Sequence, residues 1–240
     1  MRSVNQRNKK MKRSIPALVV LFGLFLFIGS MAQAQQRPLP EGFVYLEQIV
    51  PDIIQEPRYF SDRNFVGQRV DGYLAPRCII TQKGAEALKK VQEELKPFGL
   101  GLKVYDAYRP QQAVNHFIRW AKDLGDTKTK KKYYPDVDKE NLFRDGYIAG
   151  KSSHSRGSTV DLTIINLADK SEIDMGGPFD WFGPKSWPDN PSAFPGQRAN
   201  RLLLRTLMQK YGFSPYAQEW WHFTLKDEPY PETTFDFPVR

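Results

Sequence analysis

Cysteine is nearly missing from this 240-residue chain: Cys78 stands alone. A single thiol excludes an internal disulfide, so the fold must rest on its core. Histidine is scarce as well, with only His116, His154 and His222. No internal repeat and no low-complexity stretch occurs apart from one lysine-rich run, which excludes a solenoid or propeller. Acidic residues are absent from positions 1–34, where Arg2, Arg7, Lys9, Lys10, Lys12 and Arg13 precede the apolar run Ile15–Ile28. That run of about 14 residues falls short of the roughly 20 that span a bilayer. Small residues at Ala32 and Ala34 then fit a cleavage site before Gln35, so residues 1–34 read as a cleaved export signal. No cysteine near the cut supports a lipid anchor.

Cleavage changes the charge balance. Six of the 35 basic residues leave while all 27 acidic ones stay, so 29 basic residues face 27 acidic ones, a net charge of +2. This near balance argues against nucleic acid or another polyanion as partner. The remaining lysine run, Lys128–Lys132, reads as a solvated loop. The full chain is 40% hydrophobic and 13% aromatic, and residues 35–240 are long enough to bury one globular core. Nothing in the sequence sets an oligomeric state.

Periodicity predicts a helix over Thr81–Pro97, capped by Thr81, with Leu88, Val91 and Leu95 on its inner face and Pro97 and Gly99 ending it. Leu102 and Val104 alternate with polar neighbours as in a strand. Pro110 is expected at the first position of a second helix facing inward through Val114, Phe117, Ile118 and Ala121. A third helix is expected over Ala199–Tyr211, with Gly212 as its cap. Strands are expected where Val160, Leu162 and Ile164 alternate with Thr159, Asp161 and Thr163, and over Trp220–Leu225. The proline- and glycine-rich segment Met175–Gly196 reads as a long ordered loop over one end of the sheet. Helices and strands do not alternate strictly, so the expected class is α+β: a single domain with a central, mainly antiparallel sheet flanked by helices.

Three short stretches carry the chemistry. In "KSSHSRGSTVDLT", His154 lies seven residues before Asp161, with Gly157 between them. If the chain turns at the glycine, a loop imidazole comes beside a strand carboxylate, two of the three ligands a catalytic zinc wants. The other reading is an ordinary loop histidine and a carboxylate paired locally. In "EWWHFT", Glu219 and His222 offer a base and a third ligand. Residues three apart on a flat strand face opposite ways, so either Glu219 precedes the strand or a bulge bends it. An aromatic core strand with an edge carboxylate is the alternative. In "YDAYRP", Arg109 stands at a strand end, able to steady an oxyanion or simply to form a surface ion pair.

Taken in order, "YRP", "SSHSRGSTVD" and "EWWH" resemble the zinc D-alanyl-D-alanine dipeptidases, including those of the vancomycin-resistance type. The likeness continues through "NFVGQRVDGY", "YDAYRPQQAVN", "GFSPYAQEWWHF", and the tail "DEPYP" with "FDFPV". The resemblance implies one zinc ion per chain, held at the sheet by His154, Asp161 and His222. It further implies Glu219 as general base and Arg109 as the group that polarises the scissile carbonyl. Asp180 with Tyr59 would hold the ammonium of a dipeptide, and Ser152 with Tyr73 its carboxylate. Each has a competing role: Asp180 in capping a turn, Ser152 in ordering the loop. One departure is visible, since the family pattern usually has alanine where this chain has Thr159. His116 matches no ligand position and reads as structural.

The implied activity is hydrolysis of D-alanyl-D-alanine to two D-alanines by residues 35–240, in the periplasm or outside the cell, without stable membrane insertion after cleavage. Two alternatives remain. One is a D,D-carboxypeptidase acting on longer peptidoglycan stems; the other is a non-catalytic cell-wall binding module. A closed structural site has no use for a base such as Glu219, which weighs against the module. Two histidines and an aspartate also accept divalent ions other than zinc.

Overall fold

The computed structural model describes residues 38–240, and the expected leader lies outside the described residues. The elements in chain order are β1 (Phe43–Tyr45), α1 (Leu46–Ile49), β2 (Ile54–Gln55), β3 (Ile79–Thr81), α2 (Gln82–Leu95) and β4 (Leu100–Asp106). They continue with α3 (Gln111–Lys122), α4 (Lys130–Tyr133), β5 (Thr159–Asn166), α5 (Pro195–Lys210), β6 (Phe213–Tyr216) and β7 (Glu219–Leu225). Five strands form the main sheet in the order β2-β4-β5-β7-β6, antiparallel except for the β2–β4 pair. Strands β1 and β3 make a separate antiparallel pair. Residues 39–240 form one unit, a mixed α and β domain around a mainly antiparallel sheet.

Strand β5 is central and buried on both faces from Thr159 to Ile165. Its sequence alternates, yet neither side meets water. Helices α2 and α5 pack together and cover one face, touching β4 and β6–β7 respectively. On the other face lies the segment after Met175, where Phe179 packs its ring 4.8 Å from Tyr105 and 5.3 Å from Trp221. A polar strand face can be buried this way because it faces a site rather than solvent.

Local signals explain where the helices start. Thr81 caps α2 by accepting the Gly84 amide at 3.3 Å, and Gly99, in a left-handed conformation, closes the turn after it. Pro110 is the cap of α3 rather than its first helical residue, because its ψ of 147° is extended. Helix α5 begins at Pro195, four residues before the expected Ala199. Pro195 suits a first turn, and the Gln197 side chain accepts the Phe194 amide at 2.9 Å, so Pro195 and Gly196 belong to the helix rather than to the loop. The lysine run is solvated, with Lys128 and Thr129 in a turn as expected, but Lys130–Lys132 form most of the short α4 rather than a loop. Among the described residues no helix is long and apolar enough to cross a membrane.

Candidate active site

The sheet sets the first positions. Asp161 on β5 lies directly across from His222 on β7, and from Asp106 on β4. Neighbouring residues in register present side chains on the same face, so one row of the sheet brings a carboxylate beside an imidazole. His154 reaches this row from a short 3-10 turn, Ser153–Arg156, just before β5. Gly157 ends that turn at φ +88°, and a Cβ there would sit 2.2 Å from the ring of Phe43. Only glycine meets both demands, and it lets the chain reverse from His154 into the strand.

Three atoms converge. His154 Nε2 lies 3.2 Å from His222 Nδ1 and 3.3 Å from Asp161 Oδ1, and His222 Nδ1 lies 3.1 Å from that same oxygen. The tautomer of His154 follows from its other nitrogen, which is 2.7 Å from the carbonyl of Ala107. A carbonyl only accepts, so Nδ1 carries the proton and Nε2 presents a lone pair to the cluster. His222 points its Nδ1 inward, 3.1 Å from Asp161, while its Nε2 lies 3.4 Å from Ser153 Oγ.

The cluster is electron-rich and buried. Burial, then the charge of Arg109, pushes the His154 pKa down, which favours the neutral ring. Burial opposes the ionised form of Asp161, but His154 and His222 outweigh it and hold the carboxyl below the usual range. Asp161 Oδ1 has no hydrogen-bond partner of normal geometry. These three residues form a group able to hold a metal ion. Tetrahedral zinc with ligand bonds near 2.0 Å separates its ligands by about 3.3 Å, close to the three edges seen here.

Around the triangle lies a cavity of about 400 Å³. Glu219 and Arg109 line it, as do Tyr59, Ser152 and Asp180. Glu219 is the first residue of β7, and the β6–β7 register shifts between Pro215 and Tyr216, opposite it. This irregularity lets Glu219 share a cavity with His222 despite their spacing of three, with Oε2 3.4 Å from His222 Nδ1. Burial pushes the Glu219 pKa up, against the pull of His222. Arg109 donates from Nε to Asp106 Oδ2 at 2.9 Å, and its Nη2 lies 3.4 Å from Asp161 Oδ2. Its guanidinium stands over the rings of Tyr59 and Phe117 at 4.9 and 5.3 Å.

Asp180 is buried in the wall, at the unusual φ of +61°. One oxygen accepts the Tyr59 hydroxyl at 3.1 Å, and the other has no partner. Burial, reinforced by the charge of Asp161, raises its pKa well above the carboxylate norm. Ser152 lines the cavity while its Oγ accepts the His154 amide at 3.3 Å, so it also orders the turn. Tyr73 does not line the cavity; it is buried, and its hydroxyl donates to Asp106 Oδ1 at 2.6 Å. Asp106 itself escaped sequence reasoning, although it stands three residues before Arg109 in the same motif. The Thr159 hydroxyl pairs with Thr224 at 2.9 Å across the sheet. His116 is engaged elsewhere, by Gln68 and the Asp71 amide, each at 3.1 Å.

A family model for the M15 peptidases, described as D-ala-D-ala dipeptidase, matches residues 40–240. A D-alanyl-D-alanine dipeptidase of Streptomyces coelicolor is 43% identical over 197 residues, covering 82% of this chain and 98% of its own. One from Enterococcus faecium is 41% identical over 199 residues, with 83% and 98% covered. A third, from Escherichia coli, is 34% identical over 182 residues, with 76% and 83% covered.

Proposed function

Because the chain belongs to the M15 peptidase family of D-ala-D-ala dipeptidases, an enzyme family, we propose that it hydrolyses free D-alanyl-D-alanine to two D-alanines. The observation that carries this reading is a single cavity lined both by the His154–Asp161–His222 triangle and by the buried, half-satisfied carboxylate of Asp180. A peptidase acting inside longer chains has no need of a buried carboxyl group where a free ammonium would sit. A substrate with an ammonium beside its scissile bond does.

The triangle fits a divalent ion, which we propose is zinc, one per chain; when bound it would supply Lewis-acid activation of water and of the carbonyl. The remaining steps belong to the side chains. Glu219 takes a proton from the attacking water as its oxygen bonds to the scissile carbonyl carbon. Arg109 faces the negative charge that grows on the carbonyl oxygen. When the C–N bond breaks, Glu219 returns the proton to the leaving amine, so one water is consumed and two amino acids depart. Asp180, with Tyr59 beside it, holds the substrate ammonium, and Ser152 is the candidate for its carboxylate.

We further propose that residues 35–240 are the catalytic domain and that residues 1–34 direct its export to the periplasm or beyond. Sequencing the N-terminus of secreted protein should give Gln35.

The test of the activity is D-alanine release from D-Ala-D-Ala and from an N-acetylated tripeptide ending in D-Ala-D-Ala, each with and without chelator. The expected result is release from the free dipeptide alone, lost in chelator and restored by zinc. Equal cleavage of the blocked peptide moves the assignment to a D,D-carboxypeptidase. A zinc-loaded protein that cleaves neither is a binding module.

A further inference from the structure

Asp106 is 1% exposed, yet the chemistry above does not use it. Strand register explains why it faces the site. The β4–β5 ladder shifts between Val104 and Asp106, and the extra residue, Tyr105, turns Asp106 onto the row that holds Asp161. A buried carboxylate must find donors. Asp106 finds them on two sides: Oδ2 accepts Arg109 Nε at 2.9 Å, and Oδ1 accepts the Tyr73 hydroxyl at 2.6 Å. His154 Nδ1 is 3.5 Å from Oδ2, but its proton goes to the nearer Ala107 carbonyl.

Arg109 has a long side chain, and its other contacts are loose: 3.4 Å to Asp161, and aromatic faces near 5 Å. The Asp106 bond is the short, charge-assisted one, and it fixes the guanidinium at its stem. Tyr73 is itself 1% exposed, absent from the cavity wall, and its one hydroxyl proton is committed to Asp106. We propose that Asp106 is the positioning residue for Arg109, and that Tyr73 acts through Asp106 rather than on the substrate carboxylate. The proposal rests on the reading of Arg109 as the group that meets the developing oxyanion.

The experiment uses zinc-loaded Asp106→Asn, Tyr73→Phe and the double variant, with steady-state kinetics on D-Ala-D-Ala, metal content, and a crystal structure of Asp106→Asn. Losing a support of this kind lowers activity by about 10- to 100-fold. The loss in Asp106→Asn should fall on kcat, with KM within about threefold and one zinc retained per chain. Tyr73→Phe should show a smaller loss, also in kcat, and the double variant should be no worse than Asp106→Asn. A rise in KM with unchanged kcat in Tyr73→Phe puts that hydroxyl on the substrate and overturns the proposal. So does a double variant whose losses multiply. Should Asp106→Asn fail to fold, the kcat and KM split of Tyr73→Phe decides alone. If the wild type releases no D-alanine, the dipeptidase reading has failed by itself. The crystal structure then decides the positioning: Arg109 must leave Asp161 in Asp106→Asn, and an unmoved guanidinium ends the idea.

Discussion

At position 180 a carboxylate is 6% exposed, with one oxygen on Tyr59 and the other unpaired. Unfolded, it would titrate near the ordinary value of about 3.9; folded, burial holds its pKa well above that. Across that interval the folded chain keeps a proton that the unfolded chain sheds, so stability falls as pH rises through it. Asparagine has the same shape and tolerates the left-handed backbone equally well. In chelator, Asp180→Asn should melt a few degrees higher than wild type at pH 7, for about 1 kcal/mol, with the gain shrinking toward pH 4. The same zinc-loaded variant should show KM raised at least about tenfold, the scale of one charge-assisted contact. An unchanged KM would remove Asp180 from ammonium binding. Glu219→Gln tests the other carboxylate: zinc content should hold while kcat drops by about 100-fold or more. Zinc lost together with activity would make Glu219 a ligand instead of a base.

Among the elements, the turn between His154 and β5 depends most on one residue. Gly157→Ala adds a Cβ at φ +88° and 2.2 Å from Phe43. The backbone strain alone costs about 1–3 kcal/mol, so denaturant melts should show a loss of that size or more, with weaker zinc binding because His154 moves with the turn. A variant as stable as wild type would mean that the turn relaxes freely. This glycine was legible in the sequence because it separates two chemically loaded residues at short range. So were β5 and its Asp161, since alternation marks a strand face. Asp106 was not. Its orientation depends on the bulge at Tyr105, and a bulge is a property of the pair β4–β5 rather than of either strand read alone. The bend at Glu219 is one of the two options that its three-residue spacing from His222 demands. The start of α5 is hidden from the sequence because its signal is a side-chain cap from Gln197, which a window of prolines and glycines conceals.

On the scale of the whole molecule, the C-terminal segment Phe235–Arg240 ties together the pieces that carry the site. The Phe235 amide donates to Ser155, next to His154, and its carbonyl accepts from Gln111, two residues after Arg109. Asp236 caps α3 by accepting the Gln112 amide at 2.7 Å. Phe237 stacks on Tyr108 at 4.1 Å between ring centroids and accepts that hydroxyl at 2.9 Å. Val239 is bonded on both sides to the chain around Tyr73, accepting from Leu74 and donating to Gly72. The strap therefore spans three segments distant in sequence, while β5 and β7, which supply Asp161 and His222, are held by the sheet without it. Removing residues 234–240 should leave far-ultraviolet circular dichroism largely unchanged. It should weaken zinc affinity in chelator competition and lower kcat by about 10-fold or more, as lost support around a ligand does. A truncated protein that unfolds outright at 25 °C would make the strap part of the global core. One with wild-type zinc affinity and kcat would leave the tail no role in holding His154 and Arg109 together, and the sheet alone would have to account for the site.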